Sequence, residues 1–139
     1  MRPVRLTRAI EFSASLTLRR GDLSAEANAR LFGPHSARHG HNYRLEVTLR
    51  GEPDAVTGMV IDLRELKALL DREIMERFDH RDLNSDTAFF EKDAPTPENF
   101  ARVIRRLLLD ALPEGALDRI RLQPETDLWV EIVEPDAAT

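Results

Sequence analysis

Residues His41 to Arg50 read HNYRLEVTLR. Tyr43, Leu45, Val47 and Leu49 occupy alternate positions, with Asn42, Arg44, Glu46, Thr48 and Arg50 between them. A period of two marks a strand with one face on the core and the other toward water. Upstream, Val4, Leu6, Ile10, Phe12, Ala14 and Leu16 repeat the pattern, broken only at Arg8, so a second long strand is expected over Val4 to Leu16. The stretch between, Leu18 to Arg38, is polar and irregular, with Gly21, Gly33 and Pro34. It reads as an excursion carrying a short helix over SAEANARLF.

Downstream, the turn-rich GEPDAVTG closes the strand and a short extended MVI leads to Asp62. Asp62 can cap a helix with Glu65 three residues on, and Leu66, Leu70 and Ile74 mark its buried stripe. Thr96 and Pro97 suit the cap and first position of another helix, where the missing proline N–H costs nothing. Phe100, Val103, Ile104, Leu107, Leu108 and Ala111 follow its period until Pro113-Glu114-Gly115 stops it. Two short strands, near Arg119 to Leu122 and Leu128 to Val133, finish the chain. The expected order is ββααββ: one α+β domain over residues 1–139, its antiparallel sheet covered on one face by two helices. The edges of such a four-stranded sheet need partners, which points to oligomers joined through strand edges.

Composition narrows the chemistry. The 139 residues contain no cysteine, which excludes disulfides, thiolate metal sites and thiol nucleophiles. The net charge of −5 and the scattered basic residues do not form the footprint of a nucleic-acid binder, so small molecules or proteins are the expected partners. No apolar run approaches the roughly 20 residues that span a bilayer, and the N-terminal stretch lacks a signal-peptide pattern. A cytoplasmic protein without membrane contact is expected.

Three of four histidines, His35, His39 and His41, crowd into GPHSARHGHNY. On a strand, His39 and His41 emerge on one face, about 7 Å apart at Cβ, and two imidazoles can converge on one zinc ion. The alternative is a surface pair beside a glycine turn. His80 follows Asp79 at the end of the first long helix. It reads either as a helix-end histidine favoured by the dipole or as a general acid or base oriented by Asp79. Glu125, in a turn between the last strands, is either solvated or able to pair with a planar amidine-like edge by two parallel hydrogen bonds.

Taken together, EFSAS, LFGPHSARHGHNYRLEVTLRG, VTGMVIDLRELK, FDHRDLN, PTPENFARVI and ETDLWVEI closely resemble the 6-pyruvoyl-tetrahydropterin synthase family. That family includes the bacterial 6-carboxytetrahydropterin synthases of queuosine biosynthesis, and the match runs in order along nearly the whole chain. The resemblance implies the tunnelling fold (T-fold), trimers closing into a barrel, hexamers of two trimers, and sites between subunits. It implies a lyase acting on 7,8-dihydroneopterin triphosphate with zinc as cofactor. By the same resemblance His39 and His41 are zinc ligands, Asp79 and His80 belong to a proton relay, and Glu125 holds the pterin edge. Thr96 and Glu98 help to seat the pterin, although Pro97 replaces a common threonine.

Two positions depart from the family pattern. The third zinc histidine, at the end of the first strand, is here Leu16, and the catalytic cysteine is here His35. Three readings follow. His35 joins His39 and His41 as a metal ligand and a related pterin lyase reaction is kept; or His35 serves as the base and the metal is weak or absent; or the chain is a pterin-binding or structural oligomer without catalysis.

Overall fold

The computed structural model describes residues 2–33 and 37–136. Its centre is the pair read first from the sequence. Strand β1 (Val4–Leu16) runs antiparallel to β2 (His39–Gly51) over their full length, in register from Val4 opposite Gly51 to Leu16 opposite His39. β2 also pairs with β4 (Leu117–Glu125), which pairs with β5 (Leu128–Val133). The side chains that alternate inward, Phe12, Ala14 and Leu16 from β1 and Tyr43, Leu45, Val47 and Leu49 from β2, are all buried under the helices.

The sheet differs from the four-stranded antiparallel one expected. It has five strands in the order β3-β1-β2-β4-β5, because β3 (Arg81–Asp82) runs parallel to Ala14 and Ser15 of β1. Two residues carry no period, so nothing in the local pattern announces this strand. The MVI segment, expected to be extended, joins no strand.

Helix α1 (Ala25–Phe32) begins at Ser24, whose hydroxyl accepts from the Ala27 N–H. The helix capped by Asp62 has three successive pieces: α2 (Leu63–Leu70), a π-helical turn (Asp71–Met75) and α3 (Glu76–Phe78). A π turn widens the helix by one residue and resets the face it presents. Leu66, Leu70, Ile74 and Phe78 are all fully buried, so the wider turn keeps the stripe on the sheet up to Asp79. Helix α4 (Pro97–Ala111) starts at its expected cap, with Thr96 Oγ1 accepting from the Asn99 N–H. No helix among the described residues is long and apolar enough to cross a membrane.

Aromatic packing ties these layers together at the histidine end of the sheet. Phe12 stacks on Tyr43 at 5.2 Å between ring centroids, and Phe100 meets Phe12, Tyr43 and Phe78 edge-on. The excursion after β1 is held against the loop before α4 by Gly21, whose N–H donates to the Lys92 carbonyl at 2.9 Å. A Cβ on Gly21 would lie 1.8 Å from the Glu91 carbonyl oxygen, a backbone atom that cannot swing aside. Gly21→Ala is therefore expected to destabilise the protein by about 2 kcal/mol through overpacking, read as a lower urea midpoint. An unchanged midpoint would show that the two loops separate freely.

Candidate active site

Strand alternation places His39 and His41 on the helix-covered face beyond Tyr43. Their rings meet edge to face at 5.1 Å between centroids, and His41 lies 5.5 Å from Tyr43. His39 Nδ1 is 2.9 Å from the Ala37 carbonyl oxygen. A carbonyl only accepts, so Nδ1 carries the proton and Nε2 keeps its lone pair. His41 Nδ1 lies 3.9 Å from Glu125 Oε1, an ion-pair distance when the ring is protonated. A carbonyl or carboxylate at one ring nitrogen, with the other nitrogen free, is the usual setting of a metal-binding histidine. Burial, together with neighbouring His39, holds the His41 pKa below its ordinary value, against an opposing pull from Glu125. The neutral form, which is the ligand form, is favoured.

The third side of this pair is hydrocarbon. Leu16 stands directly across from His39 and Ala14 across from His41. Leu16 is 2% exposed within the core, so the strand that should supply a third donor supplies packing instead. Among the described residues no group of three or more His, Asp or Glu side chains is placed to hold a metal. The described residues therefore offer two neighbouring imidazole nitrogen donors of suitable chemistry. His35 lies outside the described residues.

Asp79 and His80 form a second constellation. Asp79 ends the helix, where its Oδ1 accepts from the Ser13 N–H of β1 at 3.0 Å. The His80 N–H donates to the Ser13 carbonyl at 2.7 Å. His80 has φ of 59°, the left-handed region that a non-glycine residue seldom adopts. Neighbouring side chains normally diverge, yet here His80 Nδ1 sits 3.0 Å from Asp79 Oδ2. Chiefly through the Ser13 amide, and despite partial desolvation, the Asp79 carboxyl is held below the usual carboxylate range, with His80 adding to the effect. An ionised Asp79 fixes the Nδ1–H tautomer and leaves His80 Nε2 to take up a proton. The His80 side chain is 83% exposed, so that nitrogen is accessible.

The remaining site candidates are spread along the chain ends of these elements. Glu125, expected in a turn, is the last residue of β4, and its Oε1 lies 3.9 Å from His41 Nδ1. Thr96 and Glu98 stand at the start of α4, where the Thr96 hydroxyl is engaged in capping and Glu98 is exposed in the first turn. Ser13, Ser15, Asn42 and His80 line a cleft of about 430 Å³ together with Arg38, Asp82 and part of β2 around His41. Ser13, Ser15 and Asn42 alternate to the face opposite His39 and His41. Those three side chains thus point away from the histidine pair across β1 and β2, while the cleft itself reaches His41. Arg38 and Asp82 went unremarked in the sequence, where both look like solvated loop charges. The one local hint is that Asp82, Asn84 and Ser85 can form an Asx turn.

Comparison with known proteins bears on the family and the fold. The sequence model of the 6-pyruvoyl tetrahydropterin synthase family matches residues 5–135. The 6-pyruvoyl tetrahydrobiopterin synthases of Pongo abelii and Homo sapiens are 43% and 41% identical to the chain over 124 residues. In each case the match covers 88% of this chain and 85% of the relative. The solved 6-pyruvoyl tetrahydropterin synthase of Caenorhabditis elegans superposes with a TM-score of 0.88 at 32% identity, covering 97% of this chain and 98% of that one. The five-stranded sheet with its helices on one face is thus the T-fold, and the chain belongs to the 6-pyruvoyl tetrahydropterin synthase family.

Proposed function

We propose that the protein is a lyase acting on 7,8-dihydroneopterin triphosphate or a related dihydropterin, by metal-assisted acid/base elimination or cleavage of the side chain. The observation that carries this is the Asp79–His80 pair, with one ring nitrogen anchored and the other open. Both reaction types need a base that removes a proton from the side chain and an acid that returns one, and His80 Nε2 can do each in turn. Glu125 receives the amino and ring N–H groups of the pterin by two parallel hydrogen bonds, with Thr96 and Glu98 seating the ring. His39 and His41 would hold zinc with His35 as third ligand, and the ion would supply Lewis-acid polarisation of the side-chain oxygens.

The position of the two constellations favours a site shared between copies. Ser13, Ser15 and Asn42 beside His80 face away from the histidine pair on the β1–β2 ladder, so a neighbouring chain would bring a second dyad to the pair. Free edges suit such assembly. β3 covers only Ala14 and Ser15 of β1, and β5 exposes Leu128, Trp129 and Val133 along the other edge of the sheet. A trimeric barrel, alone or doubled into a hexamer, working in the cytoplasm as a single-domain enzyme, is the assembly we propose.

Leu16 favours one second reading: a pterin-binding or structural oligomer whose catalysis is metal-free or lost, with His35 as a base or a plain loop residue. Turnover of dihydroneopterin triphosphate by zinc-supplied protein, followed by release of triphosphate and by mass spectrometry of the pterin, separates the two. The lyase reading predicts turnover, and His35→Ala should strip zinc if His35 is a ligand or suppress turnover at constant zinc if it is the base. No product, with saturable pterin fluorescence quenching that vanishes in Glu125→Ala, would leave a binding protein and end the lyase reading.

A further inference from the structure

The fold buries an acid that the reaction scheme leaves unused. The Asp82 side chain is 8% exposed at the edge of the sheet. Its Oδ1 accepts from the backbone N–H groups of Asn84 and Ser85, both at 3.0 Å, and from Ser85 Oγ at 3.2 Å. Those bonds complete the turn after β3. Its Oδ2 is spent differently, accepting from Ser15 Oγ at 2.8 Å and meeting Arg38 Nε at 3.1 Å. Arg38 Nη2 in turn reaches Ser15 Oγ at 3.4 Å. Burial pushes the Asp82 carboxyl up, but the hydrogen bonds from Ser15, Ser85 and Asn84 outweigh it and leave the group below its ordinary range.

A carboxylate taken out of water is costly unless its bonds are needed. The turn needs only Oδ1. Oδ2 instead ties together three segments that bear on the site. Arg38 is the residue before His39, where the chain enters β2. Ser15 precedes Leu16 and pairs with Gly40, between the two histidines. Asp82 itself lies two residues after His80. The Arg38 side chain is 69% exposed, so its guanidinium contributes little packing, and its hold on Asp82 acts mainly on placement.

We infer that Asp82 is a positioning residue, which through Arg38 fixes the loop entering β2 and through β3 holds His80 against β1. Its catalytic consequence rests on the proposed lyase function; its structural consequence does not. The test uses the intact oligomer carrying Arg38→Gln, Asp82→Asn or both. Arg38→Gln sits at the surface and keeps the fold if Asp82→Asn does not. Backbone amide exchange of residues 37–41 should quicken about 10-fold in Arg38→Gln, as expected for loss of one charge-assisted bond in a local opening. Exchange in β4 should stay unchanged.

With dihydroneopterin triphosphate, kcat should fall roughly 10-fold in each single variant, in the range seen when a group behind a ligand is removed. KM should hold, and the double variant should be no slower than Asp82→Asn, because both changes cut the same tie. Additive losses in kcat, or exchange at 37–41 equal to the unsubstituted protein, would overturn the inference. Absence of turnover in the unsubstituted protein would instead overturn the lyase reading, and amide exchange would still decide the clamp.

Discussion

Under the proposed zinc-assisted lyase function, His39→Ala and His41→Ala are expected to abolish zinc binding and, with it, to lose on the order of a thousand-fold in kcat, since a Lewis acid at the reacting oxygens is worth several kcal/mol. The Ala37 carbonyl sets His39 to present Nε2, and His41 stands against it at 5.1 Å between ring centroids. With Leu16 in the place of a third donor, the pair has no reserve: loss of one imidazole leaves too few ligands. The pH dependence follows from the sign of the His41 shift. Its pKa is lowered from the ordinary 6.5, so the ring stays uncharged as pH falls through that value. Zinc should be kept there and released only at lower pH, as His41 gains its proton. The same sign holds without metal: the contribution of neutral His41 to stability is complete above its unfolded pKa and disappears as pH falls through the folded one. Elemental analysis of each variant, with kcat measured alongside, checks the claim. Full zinc and full activity in either single variant would remove the pair from the site.

The second large effect is at His80. His80→Asn should lower kcat by about 10² to 10⁴, the usual share of a positioned acid or base, with zinc content and KM held. Asparagine is chosen because it tolerates the left-handed backbone that His80 adopts at φ 59°, so the turn into β3 survives and the loss is chemical. Asp79→Asn should lose a large part of the same factor, because an amide cannot hold the Nδ1–H tautomer as the carboxylate does. Single-turnover measurements at saturating zinc would show the difference. A kcat in His80→Asn equal to that of the unsubstituted protein would move the proton transfer to another group, with His35 the first to test.

Most of the architecture is legible in one dimension because its signals are local. β1 from Phe12 to Leu16 and β2 from Tyr43 to Val47 bury every second side chain, so burial writes a period of two into both. The caps at Asp62 and Thr96 and the proline after Thr96 likewise act within four residues. Leu16 is legible for the same reason: it keeps the inward phase of β1, and the structure finds it packed in the core. The histidine pair, two apart on such a strand, could only share a face. These short-range patterns, with the family motifs, were enough for the fold class and for the face that the histidine pair shares.

Other features depend on atoms brought together from far along the chain. The π turn is a compromise between a helix and the sheet beneath it, and no residue in Asp71–Met75 signals it. β3 exists because Ser13, 67 positions before His80, offers a backbone carbonyl at the edge of β1. The contact of His80 with Asp79 needs the positive φ that this docking imposes; sequence adjacency alone would have parted the two side chains. The tie from Asp82 to Arg38 spans two elements that meet only once the sheet is assembled. Periodicity and capping could thus set strands, helices and the face of the histidine pair, since each acts over a few residues. The state of the dyad and the clamp behind it were decided by tertiary contact, because a hydrogen bond between distant segments leaves no pattern in either segment alone.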